Sequence, residues 1–215
     1  MNSLYMPKIR WFWLLLLILL PVSAPGAEIE FGANFVINDP IDKPLPELSM
    51  GYGAGFHIAV SPAVKWGATI GIYTTQHDLV GGTEGNRTVK VNSRRNIFFI
   101  QGQYQLLKLS IYEFEATVAA TYNSINGGDS SGSYLAQQFD PEGIGYSGWG
   151  ANTGINIKRM IQAGYLFNLG FRYNVVTYTR HQVAGLEYTG EGHRRRANSL
   201  IFYFGVAYRV NFDRF

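Results

Sequence analysis

The sequence predicts an all-β fold: a closed, eight-stranded antiparallel up-and-down barrel that crosses a membrane with its strands. Three observations carry this prediction. Apolar side chains recur on every second position in eight separate runs. The connections between the runs alternate between short and long. The composition combines few charges, 15% against about 25% in ordinary soluble domains, with 25 Gly, 14 Tyr and 14 Phe. Mean hydropathy is near zero, so the apolar residues are dispersed by alternation and not gathered into spanning helices.

One continuous apolar run stands apart. Lys8 and Arg10 precede residues 11–20, WFWLLLLILL, which are followed by Pro21 and the small residues VSAPGA. A charged start, a short apolar stretch and a small-residue cleavage region make a secretory signal. The run is half the roughly 20 residues of a spanning helix. Residues 1–26 are therefore read as a cleaved signal and 27–215 as the barrel domain of an exported protein. Net charge is +3; removing Lys8 and Arg10 with the signal leaves +1. That balance argues against a nucleic-acid partner. The chain has no cysteine, so it can form neither disulfides nor thiolate metal sites.

The alternating runs follow in order. The first is Ile29, Phe31, Ala33, Phe35, Ile37, and the second Met50, Tyr52, Ala54, Phe56, Ile58, Val60. The third is Trp66, Ala68, Ile70, Ile72, and the fourth Phe98, Ile100, Gly102, Tyr104, Leu106; the other face of the fourth includes Ile97 and Phe99, so a register shifted by one stays open there. The fifth is Tyr112, Phe114, Ala116, Val118, Ala120, Tyr122, and the sixth Trp149, Ala151, Thr153, Ile155, Ile157. The seventh is Tyr165, Phe167, Leu169, Phe171, Tyr173, Val175. The eighth is Leu200, Phe202, Phe204, Val206, Tyr208, Val210, Phe212. None of these positions is charged. Short connections fall around residues 61–63, 107–109 and 159–161, and long ones at about 38–48, 76–94, 123–148 and 179–197.

Hydrocarbon offers no water to backbone N–H and C=O groups, so strands can span it only as a closed barrel. Lipid then sees alternate residues, which must be apolar. The opposite face looks into a lumen that side chains fill. A soluble barrel or sandwich would invert this and pack large residues inside. The mixed face is rich in glycine instead: Gly51, Gly53, Gly55, Gly67, Gly71, Gly150, Gly154, Gly170, Gly205. Aromatics fall into two girdles. Trp66, Tyr104, Tyr112, Tyr165, Tyr208 and Phe212 lie near the short turns; Tyr52, Tyr122, Trp149, Tyr173 and Tyr178 lie near the long loops.

On these features the mature chain resembles the small eight-stranded outer-membrane β-barrels of Gram-negative bacteria, the OmpA-type membrane domain and its OmpX- and OmpW-like relatives. The resemblance rests on the signal, the eight runs, the short–long alternation and the ending Tyr208-Arg209-Val210-Asn211-Phe212-Asp213-Arg214-Phe215. It implies residence in the bacterial outer membrane as a monomer, among lipid and lipopolysaccharide. It also implies that Tyr208, Phe212 and Phe215 serve as a signal to the barrel-assembly machinery. Phe212 keeps the outward phase and Phe215 does not, a departure from the family pattern. The fold hosts unrelated jobs.

Candidate sites follow from the mixed face and the loops. Glu30, His57, Lys65, Glu113, Glu115, Arg172 and Arg209 should point inward and pair, because a buried charge is costly alone. Strands one and eight must be neighbours, which lets Glu30 meet Arg209. Arg94, Arg95, Arg180, Arg194, Arg195 and Arg196 lie toward the long loops, where two readings stand side by side: a rim that matches lipopolysaccharide phosphates, or a solvated run of loop charges with no fixed partner. No catalytic set is assigned: none of His57, His77, His181 and His193 sits in the His-x-Ser arrangement of lipid A deacylases on this fold. Neither a metal site nor a cofactor is expected. The expected role is structural or surface-interacting: membrane integrity, adhesion or host-factor binding, with residues 126–143 the main contact loop. The alternative is a channel for small or hydrophobic molecules, lined by Ile97, Phe99, Leu166, Ile201 and Tyr203. A third reading is lipid A modification.

Overall fold

The computed structural model describes residues 26–41, 48–61, 65–84, 87–127, 144–162, 164–183, 186–189 and 195–211. The signal segment, Arg194, Phe212 and Phe215, and most of the loop expected to make contacts lie outside them. Among the described residues nine strands form: β1 (Glu28–Pro40), β2 (Gly51–Ser61), β3 (Trp66–Glu84), β4 (Arg87–Leu109), β5 (Tyr112–Gly127), β6 (Ile144–Gln162), β7 (Tyr165–Val183), β8 (Leu186–Thr189) and β9 (Arg195–Asn211). β1 through β7 pair antiparallel in sequence order, β7 pairs β9, and β9 returns to β1. These eight strands close the barrel. The ninth, β8, is a four-residue addition on the upper end of β7.

The strands are strongly staggered. The ladder from Asn34 runs through Gly55, Tyr73, Ile97, Asn123, Gly148 and Tyr178 to Arg195. Asn34 itself pairs directly with Gly205 of the same strand. That shift of ten residues, from 195 to 205, tilts every strand against the barrel axis, as closure of a small barrel requires. It also brings residues of distant sequence number to one height inside.

The alternation sorts side chains as hydrocarbon demands. Phe31, Phe56, Ile100, Val118, Ile155 and Phe204 are exposed on the outer surface, while Asn34, Thr69, Gln101, Thr117, Asn152 and Asn168 are buried in the lumen. Two girdles are visible. Near the short turns, Trp66 packs on Tyr104 at 4.6 Å and Tyr165 on Tyr208 at 5.0 Å between ring centres; near the long loops, Tyr122 packs on Trp149 at 5.1 Å. Tyr178 departs from its expected place: it lies on the inward phase of β7 and is fully buried.

Three further expectations are corrected by the backbone. The second short turn is at Ser110 and Ile111, not at 107–109, and Ser110 takes a positive φ of 52° there. A bulge between Gln105 and Leu107 re-phases β4, which is why both Leu106 and Leu107 are exposed. The segments 76–94 and 179–197 are not plain loops. The β3–β4 ladder continues past the apolar belt to Glu84 and Arg87, and β7 carries β8. Polar composition there reads as loop, yet backbone pairing needs no apolar face once the strand has left lipid.

The lumen is more tightly packed than its glycines suggest. Val36, Tyr73, Ile97, Phe99, Ala119, Ile201 and Tyr203 form an apolar cluster inside the barrel. The glycines are what admit these rings. A Cβ on Gly55 would strike Tyr73, one on Gly71 would strike Phe99, and one on Gly170 would strike Tyr203.

Candidate functional site

The lumen holds three stacked charge sites. The lowest lies at the short-turn end. Arg209 reaches Glu113 at 2.8 Å, Glu30 at 3.2 Å and Glu28 at 3.2 Å. Lys108 adds a contact to Glu113 at 2.9 Å. Lys158 sits between Glu30 at 3.0 Å and Glu115 at 3.1 Å, and Asn156 donates to Glu115 at 3.1 Å. His57 bonds Glu30 at 3.3 Å and Asn34 at 3.0 Å. The pairing satisfies charges that would be costly to bury alone.

Of the seven expected network members, Glu30, His57, Glu113, Glu115 and Arg209 therefore meet, Glu30 with Arg209 as strand closure requires. Lys65 does not join them. It precedes β3, is exposed, and lines a small cavity of about 170 Å³ at the mouth. Lys158 takes the central place. Its inward phase on β6 is readable from the sequence, but its partner Glu30 is 128 residues away, and only the stagger joins them.

Arg172 occupies the middle level apart from the network. Its guanidinium lies 4.7 Å from the ring centres of Phe99 and Tyr203 and 5.2 Å from that of Tyr73. Its Nη2 donates to the Tyr203 hydroxyl at 3.2 Å. The group is 3% exposed. Stacking on three electron-rich faces replaces part of its lost hydration. Tyr73 has no sequence signal beyond its phase on β3; it becomes a site residue because Gly55 leaves room for its ring.

Arg95 makes the upper site. Its expected place is the rim; instead it is 2% exposed, with Nη1 donating to Asn38 Oδ1 and Nη2 to Asn123 Oδ1, both at 3.2 Å. It shares the inward phase of Ile97 and Phe99, so the strand, longer than expected, carries it into the lumen. Above it His77 contacts Thr75 at 2.7 Å and the Ser49 carbonyl at 2.8 Å.

The outer surface changes character above the belt. Tyr52, Gln76, Asn92, Arg94, Asn96 and Asn126 line an outward cavity of about 720 Å³. Arg180, Arg195 and Arg196 are exposed at the same end. Four of the six expected rim arginines thus stand at the long-loop side.

No family model and no curated protein matches the chain. Solved structures do. It is similar to the outer membrane protein OprG from Pseudomonas aeruginosa, with a TM-score of 0.59 and 14% identity over 87% of this chain and 97% of that one. It is similar to a major outer membrane protein from Thermus thermophilus, with a TM-score of 0.57 and 12% identity over 86% and 99%. Closed antiparallel pairing of eight strands and this likeness over nearly whole chains decide the fold. This is a small eight-stranded outer-membrane β-barrel fold.

A third similar structure is Ail, the attachment invasion locus protein of Yersinia pestis, in complex with the heparin analogue sucrose octasulfate. Its TM-score is 0.50 and its identity 9%, over 86% of this chain and 99% of that one. In an eight-stranded outer-membrane barrel the interior is only wide enough for side chains. The ion network, the Arg172 stack and Arg95 all lie within that interior.

Proposed function

We propose that this chain is an outer-membrane protein whose lumen is shut at rest and which acts at its outer end, in membrane integrity, adhesion or capture of a surface partner. The observation that carries this is the Arg172 stack. Three rings and a guanidinium fill the middle of the barrel, and the Lys158 network crosses it below. The extension of the β3–β4 ladder beyond the apolar belt supports an outer platform.

Lipopolysaccharide is the natural neighbour of that platform. Arg94 stands on the outer face directly above the belt, among the amides of Gln76, Asn92, Asn96 and Asn126 and beside Tyr52. Arginine suits phosphate, and amides with an aromatic ring suit sugar hydroxyls. The Ail complex shows an anionic sugar on a barrel of this shape, which supports the reading by analogy alone. The test is binding of refolded protein to lipopolysaccharide vesicles against vesicles of neutral phospholipid. Preference for lipopolysaccharide that falls with Arg94→Ala supports the reading; equal binding to both refutes it.

A channel for small or hydrophobic molecules is the second reading. It draws on the apolar lumen residues Ile97, Phe99, Leu166, Ile201 and Tyr203, all of which are buried in packing. Lipid A modification would need a nucleophile and base at the lipid-facing rim; His57 and His77 both point into the lumen. Recognition by the assembly machinery through Tyr208, Phe212 and Phe215 belongs to the same proposal, and Tyr208 faces outward in the lower girdle.

A further inference from the structure

The outer face of the barrel changes character within one step along three adjacent strands. On β4 the outward side chains run Ile100 and Phe98, then Asn96, Arg94 and Asn92. On β3 they run Ile70 and Ile72, then Thr74, Gln76 and Asp78. On β5 Ala120 and Tyr122 give way to Ser124 and Asn126. The pairing lines these residues up. Thr74, Asn96 and Ser124 share one row of the sheet. Gln76, Arg94 and Asn126 share the next, with Tyr52 of β2 at its end. Asp78 and Asn92 pair in the row above. Neighbouring strands stand about 4.8 Å apart and successive outward residues about 6.6 Å, so the wall carries a regular polar array.

The array is open to a ligand. Gln76, Asn92, Arg94 and Asn126 are exposed, and their side chains make no hydrogen bond or ion pair among the described residues. Thr74 donates to Asn96 Oδ1 at 3.0 Å, which leaves the Asn96 NH₂ group for a partner. Four of these groups are amides, and each amide sets a donor and an acceptor side by side. Adjacent hydroxyls of a sugar ring offer the complementary pair. A phosphate only accepts, so it would engage Arg94 and the NH₂ groups and leave the amide oxygens unmet. Arg94 is the one cation in these rows and Asp78 a carboxylate on the same face, so the array is not a concentrated positive field. Tyr52, 53% exposed, adds an aromatic wall at one end.

Position selects the source of the sugar. The array begins one step of about 6.6 Å beyond Phe98, on the barrel wall and directly above the apolar belt. A partner arriving from outside meets the far ends of β3 and β4 first. What stands beside the wall at this height is the saccharide of an outer-leaflet lipid. We propose that the array on β3, β4 and β5 reads the uncharged core sugars of lipopolysaccharide through their hydroxyls, independently of its phosphates. The inference rests on the lipopolysaccharide reading above for its partner and names the part of that molecule that is bound.

Two measurements test it. In the first, core oligosaccharide freed from lipid A and stripped of phosphate is titrated onto the wild-type barrel in nanodiscs of neutral phospholipid. The side-chain NH₂ signals of Gln76, Asn92 and Asn126 should shift, and those of Asn34 and Asn168 in the lumen should not. No shift from the oligosaccharide overturns the proposal, as does a response of these groups to inorganic phosphate alone. The second compares binding of the refolded protein to vesicles of lipopolysaccharide with a complete core and to vesicles of lipid A, which keep the lipid A phosphates and lack the core. The complete core should bind about tenfold tighter, the worth of about one or two net hydrogen bonds. Gln76→Leu combined with Asn126→Leu should lose that margin. Equal binding of the wild type to both vesicles overturns the sugar reading and leaves a preference for lipopolysaccharide over neutral phospholipid standing; loss of that preference as well sinks both. If the combined variant does not fold, the titration of the wild type decides.

Discussion

Lys158 on β6 and Glu30 on β1 meet at 3.0 Å across the lumen, although two barrel strands, β7 and β9, stand between theirs. The contact crosses the interior and does not follow the wall. It braces the barrel where the sheet ladder cannot.

Removing one end of that brace should be costly. Lys158→Met leaves Glu30 and Glu115 without their shared cation, and breaking a buried pair from one side costs about 3–5 kcal/mol. Combining it with Glu30→Gln should recover part of the loss, giving a coupling of about 1–3 kcal/mol in a double-mutant cycle. Urea unfolding in lipid vesicles, followed by the fluorescence of Trp66 and Trp149, measures both. Additive losses would show that the two side chains do not act as a unit.

The outer face should obey lipid, not general surface rules. Ile100→Lys places a cation within the apolar belt and should destabilise by about 2–4 kcal/mol. Asn96→Lys, higher on the outward phase of the same strand, should cost about 0–1 kcal/mol. Equal costs at the two positions would contradict the assigned height of the belt.

The glycine holes make a sharper case. Gly71→Ala drives a methyl into the Phe99 ring and the Phe56 carbonyl, and overpacking of this kind costs about 1–3 kcal/mol. Gly102→Ala on the outer face meets only open space and one carbonyl at 4.0 Å. It should leave stability within about 0.5 kcal/mol of the wild type. The same unfolding assay compares them; a Gly71 variant as stable as the Gly102 variant would mean the lumen is loosely filled.

Much of this fold is legible because lipid imposes a rule on single positions. Phe31, Phe56 and Phe204 declare their face without reference to any partner, and the structure places them outward; the fourth run, with Ile97 and Phe99 on its other face, has its phase settled only by the pairing. The lumen follows no such rule. Glu30 finds Arg209 because first and last strands must close, which topology alone requires. Lys158 finds Glu30, and Tyr73 finds Gly55, through a stagger that no local pattern records. Arg95 escapes a sequence reading for a different reason. Next to Arg94 it reads as a rim pair, yet consecutive strand residues face opposite sides, and only the length of β4 decides whether that alternation still holds at position 95.

The central claim is that the lumen is shut at rest. The most direct measurement is planar-bilayer conductance of the refolded wild type, using protein whose heat-modifiable gel mobility shows an intact barrel. The predicted result is a folded, heat-modifiable protein that gives no conductance steps. Reproducible steps from the same preparation would contradict the account and make the buried charges part of a conducting path.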